Sequence, residues 1–341
     1  MVECMIRKVV QKFYDDYYNS TDFRVWQNRF VNDIYSCLMS VGKEIPTVTA
    51  LCDVMSEKRY RGLHIESKKI HSRSTSGVNF ECRGKSVTKE LADMVIVSLV
   101  TLDRQIVFMK TAFIQNKRAT RQNALHTSQP SDSWVIDQEQ LFLLKNFPTF
   151  TGASGLFNDI QFSFLNHSRS LGNYGLFSSN GDMTFLTAQN VFHNQNSNGR
   201  VVFDSIKRSN IIFSKSHINH EYFDKDYSRY CNCPGGLGCD DWMRLYFYNP
   251  PFFRNYSYAL DVSEVVKELT YFNIGDLSII VGHVTDAELY SYTGKLLLAA
   301  FGHKINEVYF RDYFNVEDKV LEMDDIDVNV VLSHVELGDN R

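Results

Sequence analysis

The stretch from Glu90 to Arg118, ELADMVIVSLVTLDRQIVFMKTAFIQNKR, constrains the fold more than any other. Two apolar runs rich in Val, Ile and Phe, Asp93 to Val100 and Ile106 to Gln115, flank a short polar turn, the pattern of two half-buried or buried strands. An acid opens the first run and the triplet Gln115-Asn116-Lys117 closes the second, so polar residues gather at one rim of a hairpin. In an antiparallel pair the numbers of facing residues add to a constant. A three-residue turn at Asp103, Arg104 and Gln105 makes that constant 208 and sets Asp93 opposite Gln115. Side chains alternate along a strand, so Gln115 and Lys117 then share a face with Asp93. A two-residue turn shifts the register by one and takes Asp93 off that face. The turn holds no Gly or Asn to choose between the two.

The flanks supply the layers that such a hairpin needs. Phe23, Trp26, Phe30, Ile34, Leu38 and Val41 recur in steps of three and four, one apolar face of a helix that Thr21 or Asp22 can cap and Gly42 can end. Pro46 and Thr47 open a second helix with Val48, Leu51, Val54 and Met55 inward. A short strand near Leu63 to Ile65 and a fuller one from Val78 to Arg83 lead through Gly84 into the hairpin. A polar tract follows, and Trp134 to Lys145 returns to helical character, with Asp137 and Glu139 near its start. Past Pro148, Phe, Asn, Ser and Gly dominate, with GASG, SNGD and NSNG as turns. Helices are expected from Asp261 or Ser263 and from Asp286, and a last strand near Val328 to Val335. The expected class is α/β, α+β overall: a mixed sheet flanked by helices over residues 1–148, and a second α+β region over 149–341.

Charge is distributed unevenly. Between Lys58 and Arg121 there are 14 Lys or Arg against 5 Asp or Glu, a local +9 that leaves −13 for the rest of a chain at −4. A basic segment in an acidic protein favours contact with a polyanion, the bland reading being a solvated basic face. No apolar run approaches the roughly 20 residues needed to span a bilayer, so a soluble, cytoplasmic protein without membrane contact is expected. Seven cysteines, four scattered and three bunched, do not make a secreted disulfide framework.

An acid, an amide and a lysine on one rim suit phosphodiester chemistry. Asp93 is a hard oxygen ligand for Mg²⁺ or Mn²⁺, Gln115 can ligate through its carbonyl oxygen, and Lys117 can stabilise developing phosphate charge. Strand, acid, strand and then Gln-x-Lys resembles the core of the PD-(D/E)xK nuclease superfamily, in the variant found in Mrr-like restriction and phage-defence nucleases. The resemblance covers roughly residues 20 to 148 and rests on Asp93 within Glu90-Leu91-Ala92-Asp93 and on Gln115-Asn116-Lys117. It implies a restriction-endonuclease-like sheet, metal-dependent cleavage of DNA, a role in antiviral defence, and a homodimer or a defence-system partner protein. Members often add an acid from the leading helix. Asp33, Glu44, Asp53 and Glu57 are the choices here, and Glu90 can compensate beside Asp93.

Rival readings are a nuclease fold without working chemistry that binds nucleic acid or a partner protein, a thiol enzyme using the Cys-His region, and a solvated hairpin end. Cys231, Cys233 and Cys239 on a Gly-rich loop, with His217 or His220 as a fourth ligand, are candidates for a structural Zn²⁺ site; a buried or reduced cysteine cluster and a redox role are the alternatives. His64 and His71 read as surface or hydrogen-bonded residues, and the aromatics from Trp242 to Tyr258 as packing rather than base stacking.

Overall fold

A computed structural model describes residues 12–40, 44–56, 58–70, 77–102, 105–121, 132–153, 155–166, 169–202, 206, 259–280, 283–305 and 328–337. The protein is α+β. Its centre is a nine-stranded mixed sheet. Along the chain, α1 (Thr21–Ser40) and α2 (Glu44–Met55) precede β1 (Lys58–Tyr60), β2 (Leu63–Ile70), β3 (Gly77–Cys82), β4 (Lys85–Glu90), β5 (Met94–Leu102) and β6 (Gln105–Arg118). Then come β7 (Thr120–Arg121), β8 (Asp132–Val135), α3 (Gln138–Asn146), β9 (Phe150–Gly152), β10 (Gln161–Phe162), β11 (Gly172–Phe177), β12 (Met183–Thr187) and α4 (Ala188–Asn194). The remainder is β13 (Arg200–Val202), α5 (Val262–Thr270), β14 (Asp276–Ile280), β15 (His283–Val284), α6 (Ala287–Ile305) and β16 (Val328–Glu336).

The sheet runs β1-β2-β16-β5-β6-β11-β12, with β14 and β15 on the early half of β6. It crosses the boundary expected near Pro148: β11, β12, β14, β15 and β16 all come from beyond it. The last strand, β16, inserts between β2 and β5, antiparallel to one and parallel to the other. Every residue of β5 is buried, which is why its sequence is an unbroken apolar run.

The two faces of the sheet carry different layers. Met94, Ile96, Ala112 and Ile114 pack under α1, α2 and α5 through Phe30, Ile34, Leu51, Val265 and Leu269. Val95, Val97, Phe113, Tyr174 and Leu176 face α3, α4, α6 and the smaller sheet, order β10-β9-β3-β4. The α1 cap is Ser20, whose Oγ accepts from the Phe23 amide at 3.3 Å, one residue before the expected Thr21. The α5 cap is Asp261, as expected, in a reciprocal box with Glu264 (2.8 and 3.1 Å). Asp261→Ala should cost about 1 kcal/mol, read as a lower urea midpoint with an unchanged slope.

Trp134 and Val135, expected to open a helix, instead end the strand β8, and the helix starts at Gln138 behind the Asp137 cap. Asp137 accepts from the Glu139 and Gln140 amides, both at 2.9 Å. Beneath α3 the backbone of β11 approaches so closely that a Cβ on Gly172 would lie 2.0 Å from the Leu144 carbonyl oxygen. Only glycine permits that contact, and it seats β11 parallel to β6 by a crossover through α3. No described helix is long and apolar enough to cross a membrane.

Candidate functional site

The hairpin register comes out as expected, by a different route. Leu102 pairs with Gln105, so only residues 103 and 104, outside the described residues, lie between the strands. That two-residue connection would put Asp93 out of register, but a bulge between Val100 and Thr101 restores it: Val100 faces Phe108 and Met94 faces Ile114. The extra residue is Val107 on β6. Facing numbers thus add to 208 at the rim, and Asp93 stands opposite Gln115.

The contact is direct. Gln115 Nε2 donates to Asp93 Oδ2 at 2.7 Å, and the Asn116 amide donates to the same oxygen at 2.6 Å. The Asp93 amide in turn donates to the Ile114 carbonyl at 3.0 Å. From the far side of β5, Asn329 of β16 gives both its main-chain amide (3.2 Å) and its side-chain Nδ2 (3.0 Å) to the Asp93 carbonyl. The Asp93 peptide is therefore held from both neighbouring strands, one contributed by the end of the chain.

Lys117, two residues past Gln115 on β6, projects from the same face and is half-buried. Arg118 turns the other way, and its Nη1 donates to Thr47 of α2 at 3.2 Å. The Gln115 carbonyl oxygen Oε1 is buried with no hydrogen-bond partner among the described residues. Asp93 is the kind of oxygen ligand that Mg²⁺ or Mn²⁺ takes together with substrate and water, whereas Gln115 turns its Nε2 to Asp93, so its carbonyl oxygen joins such a shell only with the amide reversed. Among the described residues no group of three or more His, Cys, Asp or Glu gathers around such a position.

The remaining expected residues fall into three sets. Glu90 lies near the rim, where its carbonyl accepts from Gln140 Nε2 at 2.7 Å. Asp33 and Asp53 sit on α1 and α2, which cover the opposite face of the sheet from Asp93, and Asp33 is bonded to Lys58. Neither reaches the rim from there. Glu57, His71, His217, His220, Cys231, Cys233, Cys239, the Glu44 side chain and the aromatics from 242 to 258 lie outside the described residues. No protein-family model, curated protein or solved structure matches this chain.

On the site's own face, the first turn of α3 brings a second charged group. Lys89 bonds Asp137 at 2.7 Å and Glu139 at 2.9 Å. Burial pushes the Asp137 carboxyl up, but Lys89 and the Gln140 and Glu139 amides outweigh it and hold the group below the usual carboxylate range. Tyr174 stands in the same row as Asp93 and Gln115, paired with Gln115 across β11 and β6. It is fully buried, and its hydroxyl has no partner among the described residues. Burial first, then Asp137 and Asp93, hold that hydroxyl firmly protonated. Sequence reasoning missed Tyr174. The signal was present in its spacing from Leu176, but only the parallel pairing with β6 reveals which neighbour it has.

Several cations of the basic segment have internal partners. Lys58, Arg59 and Lys89 are paired with carboxylates, Arg118 with Thr47, and Lys110 is buried. Arg83 and Lys85 remain exposed at the turn between β3 and β4, where Arg83 and Gly84 take φ of 52° and 75°.

Proposed function

We propose that the rim of Asp93, Gln115 and Lys117 is the centre of a metal-dependent endonuclease that cleaves DNA phosphodiester bonds. The bond from Gln115 Nε2 to Asp93 Oδ2 carries this reading, because it joins acid and amide on the face to which strand alternation also turns Lys117. Asp93 would hold Mg²⁺ or Mn²⁺ while Gln115 Nε2 orients its carboxylate, and the metal when bound would polarise a phosphoryl oxygen and activate water. Lys117 places its ammonium beside the scissile phosphate and stabilises the charge that builds on its oxygens. Asn329 and the Asn116 amide keep Asp93 from rotating away as substrate arrives. Exposed Arg83 and Lys85 lend salt-sensitive attraction for the backbone. A restriction or antiviral role follows from the resemblance alone.

The test is cleavage of supercoiled plasmid and of single-stranded DNA in Mg²⁺, Mn²⁺ or EDTA. Lys117→Ala is expected to lower the rate about a hundredfold without changing the metal requirement. Equal rates for variant and wild type would remove Lys117 from the chemistry. A second reading, a nuclease fold that binds nucleic acid or a partner protein without cutting, draws on one observation: Asp93 Oδ2 already takes two hydrogen bonds inside the hairpin, so the clasp can be purely structural. Tight, salt-sensitive DNA binding without cleavage under every metal condition would favour it.

A further inference from the structure

Asp93, just ahead of β5, Gln115 on β6 and Tyr174 on β11 occupy one row across adjacent strands, with side chains on the same face. Gln115 is the middle member. Its Nε2 is turned to Asp93 at 2.7 Å, which leaves Oε1 as the amide atom not engaged by the acid. Among the described residues, buried Oε1 has no donor and buried Tyr174 Oη has no acceptor. Gln115 is 6% exposed and Tyr174 0%, so bulk water reaches neither group freely. Two unmet groups of complementary type on cross-strand neighbours are costly at about 1–3 kcal/mol each, unless one water satisfies both.

We propose that Tyr174 is a positioning residue for the site: through one ordered water its hydroxyl holds the Gln115 amide with Nε2 on Asp93 and Oε1 fixed. An amide can flip by half a turn with little change in shape, and a flip would place Oε1 against the Asp93 carboxylate, acceptor against acceptor. A donor on the Tyr174 side makes only one orientation acceptable. The catalytic part of this inference rests on the nuclease reading; the orienting part does not.

Tyr174→Phe removes the hydroxyl and keeps the ring in the core. If the water bridge exists, the variant loses hydrogen bonds, and its Tm falls by about 2 °C. If the hydroxyl is instead an unmet group, the variant gains stability. In full-length protein labelled with ¹⁵N-glutamine, the Gln115 side-chain amide is identified by its absence in Gln115→Leu, and its exchange with water is measured. Exchange is expected to quicken about fivefold in Tyr174→Phe, and single-turnover cleavage to fall about tenfold with KM unchanged. A raised Tm, an unchanged Gln115 amide, or a loosened amide with undiminished cleavage overturns the proposal. The amide measurement needs no cleavage, so failure of the nuclease reading is seen separately, as absence of cutting by wild type.

Discussion

Asp93→Asn is expected to lower metal-dependent cleavage by about a thousandfold, comparable to removal of a principal electrostatic group from an active site, while the fold persists. The substitution matters in its detail. Asp93 Oδ2 accepts from Gln115 Nε2 and from the Asn116 amide, both buried donors. An asparagine carbonyl oxygen can take over that accepting role, so the hairpin rim keeps its shape and only the charge goes. Asp93→Ala is a different experiment: it strands both donors, at about 1–3 kcal/mol, and confuses loss of chemistry with loss of stability. Thermal unfolding of the two variants beside their cleavage rates separates these effects. Asn should leave Tm near wild type, and Ala should lower it by several degrees. An Asn variant that cuts at the wild-type rate would mean the carboxylate charge takes no part.

Lys110→Met is expected to make the protein more stable at neutral pH, by an amount on the order of 3 kcal/mol at most. Lys110 lies on β6, 2% exposed, and its Nζ reaches the Asn273 carbonyl at 3.4 Å. It shares its face with Ser98 and, one strand further, Ser333, whose buried hydroxyls have no partners among the described residues. Burial pushes the lysine pKa down from 10.5 to about 8, with Asp276 and Glu268 opposing the shift. Since the folded value lies below the unfolded one, the unfolded chain binds the proton more tightly between pH about 8 and 10.5. Stability from this group therefore rises as pH climbs through that window, and the cost is complete below it. Methionine keeps an unbranched stem and removes the charge, so its advantage should be full at pH 7 and should shrink towards pH 10. Urea unfolding at pH 7, 8.5 and 10 reads this directly. A Met variant that is less stable at pH 7, or whose difference from wild type ignores pH, would show that the ammonium is adequately compensated where it sits.

The rim was legible in the sequence because strand alternation and antiparallel arithmetic are local. Asp93, Gln115 and Lys117 on one face follow from positions alone once the register is set. The route to that register was not legible, since a two-residue connection plus a bulge at Val107 has the same sum at the rim as a three-residue turn. The helices α1, α2, α5 and α6 announced themselves through spacing and, at Asp261, through a cap. By contrast, VNVVLSHV reads only as a buried strand, and nothing in it says that it inserts between β2 and β5 and grips the Asp93 carbonyl. Tyr174 was hidden for the same reason: its role depends on a parallel neighbour 59 positions earlier in the chain. Of the four acids between which the sequence left the choice open, Asp33 and Asp53 lie on helices that cover the face occupied by Met94 and Ile114 rather than the one that Asp93 shares with Val95, and only the fold reveals which face a helix covers.

The most direct test of the central claim is single-turnover cleavage of plasmid DNA by wild type and Asp93→Asn at equal concentration, with Mg²⁺ and with EDTA. The predicted result is cutting by wild type in Mg²⁺ alone, abolished by EDTA and reduced about a thousandfold in the variant. Cutting that persists in EDTA, or that is equal in the two proteins, would contradict it.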